Sequence, residues 1–297
     1  MSKLIYGIVP ALCTPFDSNG EVDSGVANAL AGSLIEAGVK GFFVCGSTGE
    51  GRSMTVPERQ LMGESVVETV AGQVPVILHV GATETVNAVE LARHAAAAGA
   101  DAVGSVAPIE KPNDLEAAVR HYRSIGEASD LPFYVYWLAN DADRSVTAEQ
   151  YLEAMESVPN FAGFKFTDTN FYLFEQLVSL SDGKLNAVTG PDEMCLAGLV
   201  MGSDGAIGTT YNIMPRLFNH LFESFHSGDI RAAMAAQKKA NRVLSMLFRY
   251  GALSATKVIL QWQGFDVGLP REPYDAVSPE AQANLRKEVE TLGFEIE

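Results

Sequence analysis

Residues 74–107 read VPVILHVGATETVNAVELARHAAAAGADAVGSVA, and the order of patterns in them decides the fold. The first seven form a short apolar run between Gln73 and Gly81, the mark of a buried strand. From 84 to 98 the apolar residues recur at helical spacing, and Gly99 stands where that helix should stop. Residues 102–107 form a second short apolar run. Strand, helix and strand in this order imply a right-handed βαβ unit and a parallel sheet.

The unit recurs along the chain. Strand candidates lie at 6–12, 41–46, 74–80, 102–107, 133–137, 163–167, 186–189 and 205–209. Helical periodicity follows each, as at 24–37, 56–71, 84–98, 115–128 and 147–157. Start signals precede several helices: Asp23-Ser24, Thr55 ahead of Pro57 and Glu58, and Thr147 followed by Glu149. Gly38, like Gly99, marks a stop. Eight such units fit an α/β fold of the (β/α)8 TIM-barrel type, with a doubly wound sheet as the lesser alternative. From 215 onward the pattern is helical only, with a long amphipathic helix at 229–250 and another at 280–291. Residues 1–214 are therefore expected to form the barrel core. Residues 215–297 would supply the last barrel helix and a C-terminal helical extension, all in a single structural unit. Helices beyond the barrel offer a surface for self-association.

Bulk properties narrow the function. A chain of 297 residues can bury a large core as one barrel domain. Its net charge of −16 argues against nucleic acid as a partner, since phosphates would be repelled. Cys13, Cys45 and Cys195 have no metal-ligand spacing, and unpaired thiols suggest a cytoplasmic protein. The apolar run from Leu4 to Cys13 is broken by Pro10 and lacks a cleavage site, so a first core strand explains it better than a signal peptide. No stretch approaches the roughly 20 apolar residues of a membrane helix.

Barrels of this kind carry their chemistry at the C-terminal ends of the strands. Strand six holds Lys165 inside Gly163-Phe164-Lys165-Phe166-Thr167, where a charged amine is out of place. Burial disfavours an ammonium ion, and only the neutral amine attacks a carbonyl, which points to a Schiff-base lysine. A stem that packs while its head snorkels to solvent is the plainer alternative. Gly163 and Thr167 share the lysine's face by the period-two rule, and Gly163 would leave room beside the stem. Strand two runs into Gly46-Ser47-Thr48-Gly49-Glu50-Gly51, whose hydroxyls and freed N–H groups suit a carboxylate, although a tight turn would look the same. Strand five places Tyr134 and Tyr136 on one face, as core tyrosines or as a proton-relaying phenol. Strand seven ends in Gly190-Pro191-Asp192-Glu193, acids that either cap a helix or bind substrate hydroxyls. Strand eight ends in Gly208-Thr209-Thr210-Tyr211-Asn212. Each feature has a plain structural explanation by itself. Their convergence on one rim assembles what a class I aldolase needs.

These motifs resemble the dihydrodipicolinate synthase / N-acetylneuraminate lyase family of Schiff-base aldolases. The resemblance runs from Gly7-Ile8-Val9-Pro10-Ala11-Leu12-Cys13-Thr14-Pro15-Phe16 through Gly46-Ser47-Thr48-Gly49-Glu50 and Tyr136 to Gly163-Phe164-Lys165-Phe166-Thr167. It implies a barrel with a helical tail, a homotetramer, and pyruvate bound as an imine on Lys165. It further implies that Tyr136 relays protons while Ser47 and Thr48 hold the pyruvate carboxylate. The lyase branch is the more similar. Gly190, the Asp192–Glu193 pair and Thr209 match positions that contact the sugar chain there, and Ser47 and Thr167 point the same way.

Three departures bear on the substrate. Trp137-Leu138-Ala139-Asn140 replaces the family's Asn-x-Pro after the tyrosine. Asp141 stands where the synthase branch has an arginine, the nearest being Arg144, which argues against aspartate semialdehyde. Pro108 is followed by Ile109-Glu110-Lys111 in place of a tyrosine pair. Trp137 and Asp141 are expected to reshape the distal pocket. The expected reaction is cleavage of a 2-keto-3-deoxy sugar acid, N-acetylneuraminate foremost, to pyruvate and an aldehyde. The alternatives are 4-hydroxy-tetrahydrodipicolinate (dihydrodipicolinate) synthase, another pyruvate-dependent keto-acid aldolase, or a non-catalytic keto-acid binder. No metal and no dissociable cofactor are expected, because the imine supplies the electron sink.

Overall fold

The structure is a computed structural model that describes residues 3–108, 110–111, 113–139 and 145–293. Ile109, Asn140, Asp141 and Arg144 therefore lie outside the described residues. Eight strands alternate with helices: β1 (Gly7–Pro10), β2 (Phe42–Val44), β3 (Val76–His79), β4 (Ala102–Ser105), β5 (Phe133–Leu138), β6 (Phe161–Thr167), β7 (Asn186–Thr189) and β8 (Gly205–Gly208). All neighbours pair in parallel, in the order β1-β8-β7-β6-β5-β4-β3-β2. A single bridge between Ala11 and Phe43, with the Leu12 N–H donating to the Phe43 carbonyl at 2.9 Å, closes β1 onto β2. The sheet is thus a TIM barrel, as the alternation predicts.

The outer layer is α1 (Ser24–Glu36), α2 (Val56–Val70), α3 (Thr85–Ala98), α4 (Leu115–Gly126), α5 (Ala148–Met155), α6 (Phe171–Leu180), α7 (Cys195–Val200) and α8 (Pro215–His226). Capping side chains fix several starts. Asp23 accepts from the Val26 N–H, and Thr55 and Glu58 form a reciprocal capping box. At α5 the partner of Thr147 is Gln150, one residue beyond the Glu149 that marks the start in sequence. Gly99 ends α3 at φ +83°, a left-handed conformation that glycine adopts without strain.

Alternate residues of each strand serve two cores. Phe43, Ile77, Tyr134, Tyr136, Val188 and Ile207 fill the barrel interior. Phe133, Val135, Phe164 and Phe166 face the helices. β2 is shorter than its apolar run because Cys45 turns to φ +59° and leads the chain out to the rim. Beyond the barrel come α9 (Ile230–Tyr250), α10 (Ala252–Trp262) and α11 (Pro279–Thr291). The chain bends by 110° between α9 and α10, which carries α10 against the turn Thr210–Asn212 after β8. Among the described residues, no single helix is long and apolar enough to cross a membrane.

Candidate active site

Strand pairing brings the two central residues together. Tyr136 on β5 is in register with Lys165 on β6, and both point into the barrel. Lys165 is 4% exposed, so its amine does not snorkel to solvent. Its Nζ lies 3.9 Å from the Tyr136 ring centroid and 4.5 Å from that of Phe43. The phenol oxygen of Tyr136 is 3.4 Å from Ser47 Oγ, which joins the loop after β2 to the end of β5.

Ser47 and Thr48 sit in a loop whose backbone is held by its surroundings. Thr14 Oγ1 donates to the Gly49 carbonyl at 2.6 Å, and a Cβ at Gly49 would meet the Leu12 carbonyl oxygen at 2.9 Å. Glu50 follows at φ +54° with its carboxylate wholly buried. Lys257 of α10 holds that carboxylate at 2.5 Å, and the Arg271 N–H donates to it at 2.6 Å. Thr48 Oγ1 lies 2.7 Å from Thr209 Oγ1, so the loops after β2 and β8 are joined across the mouth.

The acids after β7 have different environments. Asp192 is buried and accepts from both the N–H and the hydroxyl of Thr210, at 2.7 and 2.6 Å. Burial pushes its carboxyl up to about 6, against the opposing pull of the Thr210 hydrogen bonds. Asp192 thereby brackets the loops after β7 and β8, a structural part that the sequence does not reveal. Glu193 is half-buried at the rim. Thr167 Oγ1 is a buried hydroxyl oxygen without a partner among the described residues. A Cβ at Gly190 would lie 1.9 Å from it, so that glycine is required for the approach.

Two expectations need correction, at Gly163 and Trp137, and the structure decides between the two readings of Tyr134. Gly163 makes room for something other than the lysine stem: a Cβ there would strike the Asn186 carbonyl oxygen at 2.2 Å and the Tyr134 ring at 2.7 Å. Tyr134 is a core tyrosine, its hydroxyl donating to Asn186 Oδ1 at 2.9 Å. Trp137 turns away from Lys165. As the neighbour of inward Tyr136 it must face outward, where it stacks on Phe166 and meets Tyr151 edge-on.

Sequence reading also passed over His79 and Arg59. His79 lies in the barrel against the Tyr136 and Phe43 rings. Arg59 of α2 is buried and donates to the carbonyls of His79 and Gly81. The signal for His79 was present: it is a polar residue in an apolar strand, the same anomaly that singles out Lys165.

Among the described residues, no group of three or more His, Cys, Asp or Glu side chains is arranged to hold a metal ion. What the rim offers is a buried amine, an adjacent phenol and a hydroxyl-lined loop, the parts of imine chemistry.

Comparison with known proteins gives the family. The model of the dihydrodipicolinate synthetase family matches residues 4–292. N-acetylneuraminate lyase of Mus musculus is 34% identical over 300 residues, covering 98% of this chain and 94% of that protein. The solved N-acetylneuraminate lyase of Proteus mirabilis superimposes with a TM-score of 0.92 at 32% identity, over 99% of this chain and 100% of that one. The enzyme of the same name from Aliivibrio salmonicida gives 0.93 at 30% identity, over 99% of each chain. The chain belongs to the dihydrodipicolinate synthetase family of TIM-barrel aldolases and is a lyase.

Proposed function

We propose that this lyase cleaves a 2-keto-3-deoxy sugar acid through a Schiff base, releasing pyruvate and an aldehyde, with N-acetylneuraminate as the leading substrate. The observation that carries the proposal is the Lys165 amine, buried inside the barrel 3.9 Å from the ring of Tyr136. The similarity to proteins named N-acetylneuraminate lyase supports the substrate. So does the half-buried Glu193 at the rim, since a carboxylate accepts hydrogen bonds from a polyol.

The Lys165 amine adds to the C2 ketone. Loss of water from the adduct, with the Tyr136 phenol giving the proton, leaves an iminium ion. The Tyr136 oxygen then takes the proton of the C4 hydroxyl. The C3–C4 bond breaks, its electron pair flows into the iminium, and the aldehyde departs from an enamine. Protonation at C3 gives the pyruvate imine, and water releases pyruvate and regenerates the amine. Ser47, Thr48 and their backbone N–H groups hold the carboxylate throughout, a fixed set of donors that needs no rearrangement as charge moves. Thr167, Gly190, Asp192, Glu193 and Thr209 surround the polyol. No metal or dissociable cofactor enters the scheme. The family resemblance supports a homotetramer, and three buried free thiols fit a reducing, cytoplasmic setting.

Incubation with pyruvate and borohydride should leave one reduced adduct, mapped by mass spectrometry to Lys165. Lys165→Met should abolish it, together with pyruvate release from N-acetylneuraminate. An unmodified Lys165 would end the aldolase proposal. Activity confined to aspartate semialdehyde in the synthetic direction would transfer the protein to the synthase branch.

A further inference from the structure

Thr209 opens the helical turn Thr210–Asn212, yet its side chain makes no hydrogen bond to that turn, the ordinary use of a threonine at such a position. The hydroxyl reaches across the barrel mouth instead, to Thr48 Oγ1 at 2.7 Å. Both loops are held from behind. The Asn212 amide donates to the Thr209 and Ala11 carbonyls, each at 2.7 Å, and accepts from the Cys13 N–H at 3.1 Å. Thr210 is tied to Asp192, and Thr14 holds the Gly49 carbonyl next to Thr48. Thr48 is 8% exposed and Thr209 is half-buried, so the contact is largely shielded from solvent.

A hydroxyl carries one proton and two acceptor sites, whereas a carboxylate only accepts. A Thr48 hydroxyl that holds a carboxylate must therefore give it the Thr48 proton. The contact between the two threonines then has one possible direction: Thr209 donates and Thr48 accepts. In such a chain each hydrogen bond polarises the next, which strengthens the donor at the carboxylate end. Remove the Thr209 hydroxyl, and the Thr48 oxygen loses the one hydrogen-bond partner it has among the described residues.

We propose that Thr209 is a positioning residue for pyruvate: its hydroxyl, fixed across the mouth, turns the Thr48 proton toward the substrate carboxylate. This role rests on the carboxylate site proposed above and adds to it a residue from the loop after β8. With its proton committed to Thr48, Thr209 meets the remainder of the substrate as an acceptor, as the Glu193 carboxylate does. The polyol end of the mouth thus presents acceptors to hydroxyl groups, while the other end presents donors to a carboxylate.

Pyruvate affinity tests the role, read as the concentration that half-saturates borohydride trapping on Lys165. Pyruvate has no polyol, so it is blind to any direct contact between Thr209 and a sugar chain. Thr209→Val removes the hydroxyl and keeps the shape. It should raise the half-saturating concentration about three- to tenfold, the worth of one net hydrogen bond, and still reach the wild-type extent of adduct at saturation. Thr209→Ser should restore the lost affinity. In a Thr48→Val background, Thr209→Val should have no further effect, because its route to the carboxylate is gone. Wild-type affinity in Thr209→Val would overturn the positioning role. So would single losses that multiply in the double variant, or a Thr209→Ser protein as weak as Thr209→Val. Unchanged affinity in Thr48→Val would remove Thr48 from the carboxylate site and this role with it, while the imine on Lys165 would stand. Wild-type protein without an adduct would overturn the aldolase reading itself.

Discussion

At Asp192, two demands meet on one carboxylate. It closes the rim through Thr210, and burial makes its ionised form expensive, so its carboxyl titrates near 6 where 3.8 is ordinary. A carboxyl raised on folding contributes stability that is fully present below about pH 4 and lost as pH rises through about 6. The shift corresponds to about 3 kcal/mol. His121 acts in the opposite sense: lowered from 6.5 to about 4, it stabilises above pH 6.5 and loses that contribution as pH falls through 4. Asp192→Asn keeps an oxygen for Thr210 and removes only the first slope. Its stability should therefore climb more steeply than that of wild type between pH 4.5 and 6.5 in urea unfolding. Parallel curves would mean that the Asp192 carboxyl titrates alike in the folded and unfolded chain. Lys165 and Asp192 are thus both buried ionisable groups. Only the lysine announces itself in sequence, because its neighbours are apolar, whereas an acid beside Gly190 and Pro191 looks like a turn.

The site depends on β6 lying close to its neighbours, and Gly163 makes that approach possible. A methyl group there would press on the Asn186 carbonyl of β7, a backbone atom that cannot swing away. Gly163→Ala should cost about 1–3 kcal/mol of stability, the range for overpacking a core, and should also displace Lys165 two residues on. Borohydride trapping and the unfolding midpoint should fall together; a variant as stable as wild type would show that the sheet yields more easily than this contact implies. Elements of this kind were largely legible in sequence. Strand and helix periods alternate cleanly, and capping residues mark Asp23, Thr55 and Thr147 as starts. α10 left no such trace: every residue from Leu253 to Leu260 is buried, so it has no apolar stripe against a polar one. Outward Trp137 was decidable from sequence by counting one residue from inward Tyr136. His79 was visible as an anomaly, but the Cys45 carbonyl and the Arg59 side chain that hold it come from other elements.

Over the whole molecule, the helical extension reaches the site through α9, where Gln237 and Asn241 donate to the carbonyls of Asp192 and Glu193, and through a buried ion pair from α10. Lys257 of α10 and Glu50 of the β2 loop are about 200 residues apart in sequence, and their side chains are 1% and 0% exposed. Around them Arg271 donates to Glu50 through its N–H and pairs with Glu58, and the Lys257 and Arg271 cations lie over the Phe16 ring at 4.5 and 4.1 Å. No local pattern predicts such a pair, since each half is an ordinary charged residue in its own segment. Its consequence is that the loop bearing Ser47 and Thr48 is braced from the C-terminal end of the chain. Lys257→Met would leave the Glu50 carboxylate buried with only the Arg271 N–H, and breaking a buried pair on one side costs about 3–5 kcal/mol. Glu50→Gln would leave the ammonium stranded at similar cost, whereas the double variant removes both charges and should recover much of the loss. The double-mutant cycle is read by urea unfolding, with pyruvate affinity measured beside it. If the ion pair braces the loop, each single variant weakens pyruvate binding while retaining an adduct at saturation, and the losses of stability are far from additive. Additive losses with unchanged pyruvate affinity would mean that the extension covers the barrel without setting its active rim.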